Sequence, residues 1–102
     1  NAFANEYTVD FWVRWMGRTG YYDLNLCYNG SMTPWLAIQV MENELRVNSA
    51  PNSFNQAVTF TFSSSTWNHI AIVKKGTNLL AFIDGVLKAT WNFPYTIGST
   101  YT

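Results

Sequence analysis

The closest pair of acidic side chains in the sequence is Glu42 and Glu44, separated by Asn43. Glycoside hydrolysis needs two carboxyl groups about 5–9 Å apart across the scissile bond. Residues two apart share a strand face, but this pair brackets a predicted turn, where solvated charges are usual. The single histidine, His69, has no nucleophile beside it, because no Ser lies in a G-x-S-x-G setting and Cys27 falls in a different predicted strand. We therefore predict no catalytic residue and no enzymatic activity.

Metal binding has little support in the residue types. One cysteine and one histidine are too few for a Cys/His metal site, and Cys27 has no second cysteine for an internal disulfide. Calcium takes about six to eight oxygen ligands. Asp23 and Asn25, on one face of a predicted strand, would supply only a pair of them. We assign no metal residue and no cofactor, and calcium stays an open alternative without a ligand set.

Aromatic side chains are abundant: five Trp, six Tyr and seven Phe make up 18% of the chain. Tyr and Trp offer a flat apolar ring and a hydrogen-bond donor, which suits the C–H face and hydroxyls of a sugar. Those near predicted turns and strand ends exceed what a small core needs. They define a candidate ligand platform of Trp15, Tyr21, Tyr22, Asp23, Asn25 and Trp35, with Trp91 and Tyr95 as a second group. Because a short turn separates two strands here, we expect Trp15 to lie close to Tyr21 or Tyr22.

Composition excludes several classes of function. Six basic and six acidic residues give a formal net charge of zero, whereas nucleic-acid binding needs a basic footprint. Apolar residues make up 48% and charged residues 12%, which argues against disorder. No apolar run approaches the length of about 20 residues that spans a bilayer. We expect a single domain over residues 1–102, belonging to a longer protein, with no nucleic-acid partner and no membrane span.

The elements that must position these side chains are β-strands, because the apolar pattern has period two almost throughout. The predicted strands cover residues 7–16, 21–28, 35–41, 44–48, 58–62, 67–73, 79–83, 86–91 and 95–98. Asn29-Gly30 and Asp84-Gly85 predict tight turns. The triplet Asn29-Gly30-Ser31 is also a formal N-glycosylation acceptor, but we interpret it as a turn. Short strands with frequent turns indicate an all-β antiparallel sandwich or barrel.

Alternation also predicts which side chains are buried. In the first strand, Tyr7, Val9, Phe11, Val13 and Trp15 share one face, and Thr8, Asp10, Trp12, Arg14 and Met16 share the other. We assign Phe11, Phe60, Phe62 and Phe82 to the core.

Three segments together resemble one family. TVDFWVR (8–14), WNHIAIV (67–73) and LLAFIDGVL (79–87) are similar to the opening strand, central strand and following hairpin of the laminin G-like, concanavalin A-like lectin/glucanase superfamily. Residues 95–99 lie where the family has an "-IG-" strand. The resemblance implies an antiparallel β-sandwich of the jelly-roll type. It also implies that Trp12 and Trp67 pack between the two sheets and that His69 is a structural strand residue.

The sequence departs from the family pattern in two respects. The E-x-D-x-x-E run of the glucanases is missing, in keeping with a non-enzymatic protein. The family's first and last strands are also missing, which would expose sheet edges and predicts self-assembly or completion by a neighbouring chain. We expect a binding module for carbohydrate or a glycosylated surface, located outside the cell, on a cell surface or on a virion. The alternative is a structural subunit of a virion (tail, fibre or capsid decoration) or of another extracellular assembly.

Overall fold

The computed structural model describes residues 6–16, 20–28, 31–50 and 54–94, and these form eight strands. The strands are β1 (Tyr7–Val13), β2 (Tyr22–Tyr28), β3 (Ser31–Met41), β4 (Glu44–Ala50), β5 (Phe54–Thr59), β6 (Asn68–Lys75), β7 (Asn78–Ile83) and β8 (Val86–Asn92). They build two four-stranded antiparallel sheets, the first in the order β1-β6-β7-β8 and the second in the order β2-β3-β4-β5. The predicted all-β antiparallel sandwich is confirmed. No helix long and apolar enough to cross a bilayer occurs among these residues.

The core lies between the inner faces of the two sheets. In β6 and β7, every second residue is buried, and the same holds for β4, whereas Leu36, Ala37 and Ile38 of β3 are all buried. The fully buried aliphatic side chains are Leu36, Ile38, Val40, Leu45, Val47, Ile70, Ile72, Leu79 and Ile83. Burial of apolar surface on this scale is the main favourable term in folding.

The placement of Trp12 and Trp67 between the sheets is wrong, since they are 64% and 57% exposed. Trp12 alternates with Phe11 and Val13, so it lies on the outer face of the first sheet. Trp67 precedes the buried Asn68 and therefore also points outward. The period-two pattern of the first strand already separated Trp12 from Phe11, and this local rule overrides the expectation taken from the family resemblance.

The four phenylalanines that the sequence assigned to the core do not all lie there. Phe62 is buried, and Phe11 and Phe60 pack against the buried cluster. The assignment of Phe82 is wrong, because the buried residues of β7 are Leu79 and its period-two partners. Phe82 alternates with them and faces away from the other sheet.

Two further predictions about the elements have clear outcomes. The Asp84-Gly85 hairpin is confirmed: Ile83 pairs with Val86, and both turn residues have positive φ, 53° at Asp84 and 80° at Gly85. The strand predicted at 58–62 instead runs over Phe54–Thr59. Phe60 and Phe62 follow it outside any strand, and their amides donate to the Asn43 and Glu42 carbonyls at 3.2 and 2.8 Å. The Asn29-Gly30 turn and the strand predicted at 95–98 lie outside the described residues.

Candidate functional site

The outer face of the second sheet carries a set of polar side chains. Ile38 and Val40 of β3 point inward, so the partly exposed Gln39 between them faces outward. The strand register places Asp23 opposite Gln39 and Gln39 opposite Arg46. We call the outward set the amide face; its members are Asp23, Gln39, Arg46, Asn48 and Asn55.

Hydrogen bonds between neighbouring strands orient the amide face. Asn48 Nδ2 donates to Gln39 Oε1 at 3.2 Å, and Arg46 Nη1 donates to Asn55 Oδ1 at 2.7 Å. Arg46 Nε also donates to Glu44 Oε2 at 2.6 Å. Each amide and the guanidinium has more donors or acceptors than these bonds use. The face therefore offers partly exposed, pre-oriented hydrogen-bonding groups to a polar ligand.

The structure brings part of the predicted platform onto this face. Tyr21 is 46% exposed and precedes β2, in which Asp23 is exposed. Asn25 and Trp35 occupy register positions opposite Ala37 and Cys27, on the same side of the sheet as Asp23. The side chains of Asn25 and Trp35 are outside the described part of the structure. Their backbone positions continue the amide face along β2 and β3.

Trp15 and Tyr22 are close together, as expected, but they face the core. Their ring centroids are 4.9 Å apart, and Trp15 is only 4% exposed. The Tyr22 hydroxyl accepts a hydrogen bond from the Met16 amide at 2.9 Å. Trp15 shares its strand face with Val13, so folding buries it, and its ring offers no free surface for stacking.

Trp91 lies far from this group. It is half-buried against Phe54, with ring centroids 6.0 Å apart, and Phe54 packs edge-on against Phe93 at 4.8 Å. These rings close the side of the sandwich between β5 and β8. Tyr95, its predicted companion, lies outside the described residues.

The acidic pair Glu42 and Glu44 brackets the β3–β4 turn, as predicted. With Met41 and Asn43 it lines a shallow depression of about 280 Å³. One oxygen of Glu44 already accepts a hydrogen bond from Arg46, and Glu42 is exposed. The described residues contain no group of three or more His, Cys, Asp or Glu side chains that could hold a metal ion. Calcium binding therefore stays an untested alternative.

A second cluster, which sequence reasoning missed, lies on the outer face of the first sheet. Trp12 and His69 are directly opposite in the β1–β6 register, and their ring centroids are 5.0 Å apart. His69 Nε2 lies 3.5 Å from Asp10 Oδ2, and the Arg14 guanidinium lies 5.2 Å from the centre of the Trp67 ring. The available signal was the shared parity of Asp10, Trp12 and Arg14. We call the cluster the aromatic face; its members are Asp10, Trp12, Arg14, Trp67 and His69.

The sandwich is open on the side between β1 and β2. A cleft of about 330 Å³ lies there, lined by Phe11, Trp12, Val13, Tyr22, Asp23, Leu24, Ile38 and Val40. Leu24 shares a strand face with Tyr22, yet it is 38% exposed. An inward-facing leucine stays exposed here because no described element covers this flank.

Comparison with known proteins agrees with this architecture. The family model for the concanavalin A-like lectin/glucanases superfamily matches residues 1–101. No curated protein and no solved structure matches the chain.

Proposed function

The chain belongs to the concanavalin A-like lectin/glucanases superfamily, and we propose that it is a non-catalytic module that binds carbohydrate through the amide face. The observation that carries the proposal is the row of hydrogen-bonded Gln39, Arg46, Asn48 and Asn55 side chains beside the exposed Tyr21. Sugar hydroxyls each donate and accept, and amide side chains do the same. Specificity in such sites comes from a few placed polar groups beside an aromatic surface.

Tyr21 supplies the stacking surface in this proposal. It precedes Asp23 by two residues, so ring and carboxylate belong to one side of β2. If sugar stacking resembles base stacking on aromatic rings, the loss of Tyr21 costs about 1–3 kcal/mol, or roughly 5- to 150-fold in Kd. Asn25 and Trp35 are proposed members of the same site because of their register.

The test is a glycan array, followed by calorimetric titration of the best-bound glycan. Tyr21→Ala and Asn48→Ala should each weaken binding at least about fivefold while the circular dichroism spectrum stays unchanged. Asn92→Ala is the matched control, because Asn92 is an exposed amide on the first sheet. Parental affinity in both amide-face variants would show that the glycan binds elsewhere.

The absence of hydrolysis is part of the same proposal. It is supported by Glu44, which is engaged by Arg46, and by Glu42, which lies in an exposed turn. We expect no reducing sugar to be released from β-glucans, laminarin or peptidoglycan. Turnover that disappears in the Glu42→Gln, Glu44→Gln double variant would refute this assignment.

A second candidate function is a structural subunit of an extracellular assembly or virion. The open flank favours it, because Leu24 and Trp12 expose apolar surface beside a strand edge. Large exposed apolar surface is typical of interaction sites. Low charge with many uncharged polar side chains fits a location outside the cell for either function. If no glycan on the array binds, the structural-subunit proposal takes precedence.

A further inference from the structure

One edge of strand β1 is unpaired within the described part of the chain, and we call it the free edge. Among the described residues its only strand partner is β6, which lies between β1 and β7. The His69 carbonyl accepts from the Asp84 amide, and the His69 amide donates to Asp84 Oδ1, both at 2.8 Å. The backbone groups of His69 are therefore directed away from β1.

The register then identifies the backbone groups on the free edge. In an antiparallel ladder, directly opposite residues either exchange both hydrogen bonds or exchange none. Trp12 lies opposite His69, so this pair exchanges none, and the Trp12 N–H and C=O face the free edge. The same alternation directs the backbone groups of Thr8 and Asp10 to that edge.

The outward side chains along this edge are self-complementary. If two β1 strands pair antiparallel about a two-fold axis at Trp12, Trp12 meets Trp12 of the second copy. Asp10 then lies opposite Arg14 of the second copy, the residue that directly follows β1, and this charge pair occurs twice. On the inner side Phe11 lies opposite Val13. Opposite charges and aromatic pairs at directly opposed positions stabilise antiparallel strands.

The open flank fits the same partner. The cleft beside β1 is lined by Phe11 and Val13, with the exposed Leu24 on its far wall. A second β1 paired to this edge would lay its own Phe11 and Val13 across the cleft. The chain has no net charge, so two copies do not repel each other through their overall charge.

We propose that the free edge of β1 pairs with β1 of a second copy of this chain, with the two-fold axis at Trp12. The pairing joins two four-stranded sheets into one sheet of eight strands. This removes an unpaired edge of the kind that proteins otherwise have to protect. The amide face lies on the other sheet, so the dimer leaves it accessible and does not depend on carbohydrate binding.

Solution mass tests the dimer, and charge exchange tests its register. Light scattering on gel-filtered protein should give about twice the chain mass of 11.7 kDa at high concentration. Asp10→Arg and Arg14→Asp should each weaken dimerisation by about tenfold or more, because each turns two attractive pairs into repulsive ones. The double variant Asp10→Arg, Arg14→Asp should restore it. Lys88→Glu, a charge reversal on the opposite edge strand β8, is the control and should leave the dimer unchanged.

Cross-linking tests the axis directly. Opposed residues of a hydrogen-bonded antiparallel pair have Cα atoms about 5.5 Å apart, within disulfide range. In a Cys27→Ser background, Trp12→Cys should form a disulfide dimer on mild oxidation, and Leu87→Cys, exposed on β8, should not. The proposal would be refuted if the protein is a monomer at every concentration. It would also be refuted if the folded double variant Asp10→Arg, Arg14→Asp does not regain dimerisation. If the protein is a monomer and the β1 amides still exchange slowly, another segment of the same chain is hydrogen-bonded to this edge. That result would also refute the proposal.

Discussion

Replacement of Asp84 by Ala should destabilise the domain more than an exposed turn residue normally would. Asp84 Oδ2 accepts from Asn68 Nδ2 at 2.7 Å, and Oδ1 accepts from the His69 amide at 2.8 Å. Asn68 is a buried polar side chain at the start of β6. Asp84 thus holds the β7–β8 turn against the start of β6, which carries the outward-facing His69 and directly follows Trp67.

The magnitude follows from three separate losses. A buried amide left unpaired at Asn68 costs about 1–3 kcal/mol. The His69 amide is exposed and can bond to water, so its loss costs about 0.5–1 kcal/mol. Asp84 has φ 53°, where Ala is about 0.5–1 kcal/mol worse than Asp because Asp tolerates the left-handed region. The sum is about 2–5 kcal/mol, a large part of the stability of a small domain.

Calorimetry of three variants separates these losses. Asp84→Ala should lower Tm by roughly 8–40 °C, at about 4–8 °C per kcal/mol for a domain of this size. Asp84→Asn keeps an acceptor for the His69 amide and tolerates the positive φ, so its loss should be limited to the bond from Asn68, about 1–3 kcal/mol. Asp84→Gly removes the φ cost but not the lost hydrogen bonds, and should fall between the two. If Asp84→Ala melts within about 3 °C of the parent, the hydrogen bonds to Asn68 and His69 do not stabilise the fold as argued.

Two further predictions concern a buried ring and a buried phenol. Phe62→Ala should lower the free energy of unfolding, measured by chemical denaturation, by about 3–5 kcal/mol. Trp67→Ala should lower it by about 1 kcal/mol, because the Trp67 ring is mostly exposed and its removal chiefly loses a cation–π contact. Equal losses would contradict the outward placement of Trp67. Burial raises the pKa of the Tyr7 phenol above its ordinary value of 10.0. The folded state therefore holds the proton more tightly, and the resulting stability, present below pH 10.0, is lost as the pH rises further. Tm measured from pH 9 to 11 should fall more steeply in the parent than in Tyr7→Phe.

Part of the candidate site was predictable because it depends on one strand at a time. Tyr21 and Asp23 belong to a single alternating segment with polar and aromatic residues on one face. Gln39, Asn48 and Asn55 were not foreseen, because they become neighbours only through the β3–β4–β5 register. Hydrogen bonds between strands, such as that from Asn48 to Gln39, cannot be deduced from side-chain spacing within one strand.

The tryptophans show the same division. Alternation placed Trp12 and Phe11 on opposite faces, and that is correct. The number of aromatic residues does not indicate which rings are exposed. The family resemblance implied that Trp12 and Trp67 lie between the sheets, and both are exposed. Trp15 was expected near the surface because it ends a strand, but Tyr22 and the two sheets cover it.

By itself, the sequence determined the local properties of this protein: strand periodicity, the Asp84-Gly85 turn, the sandwich class and its family. These depend on backbone geometry and on contacts between near neighbours, which alternation and turn chemistry specify. Only the tertiary structure decided which face of each strand is covered, that β1 and β2 border an open cleft, and that Asp23 joins Gln39 on the amide face. Those outcomes depend on pairing between segments distant in the chain, and a period-two pattern is the same whichever strand lies beside it.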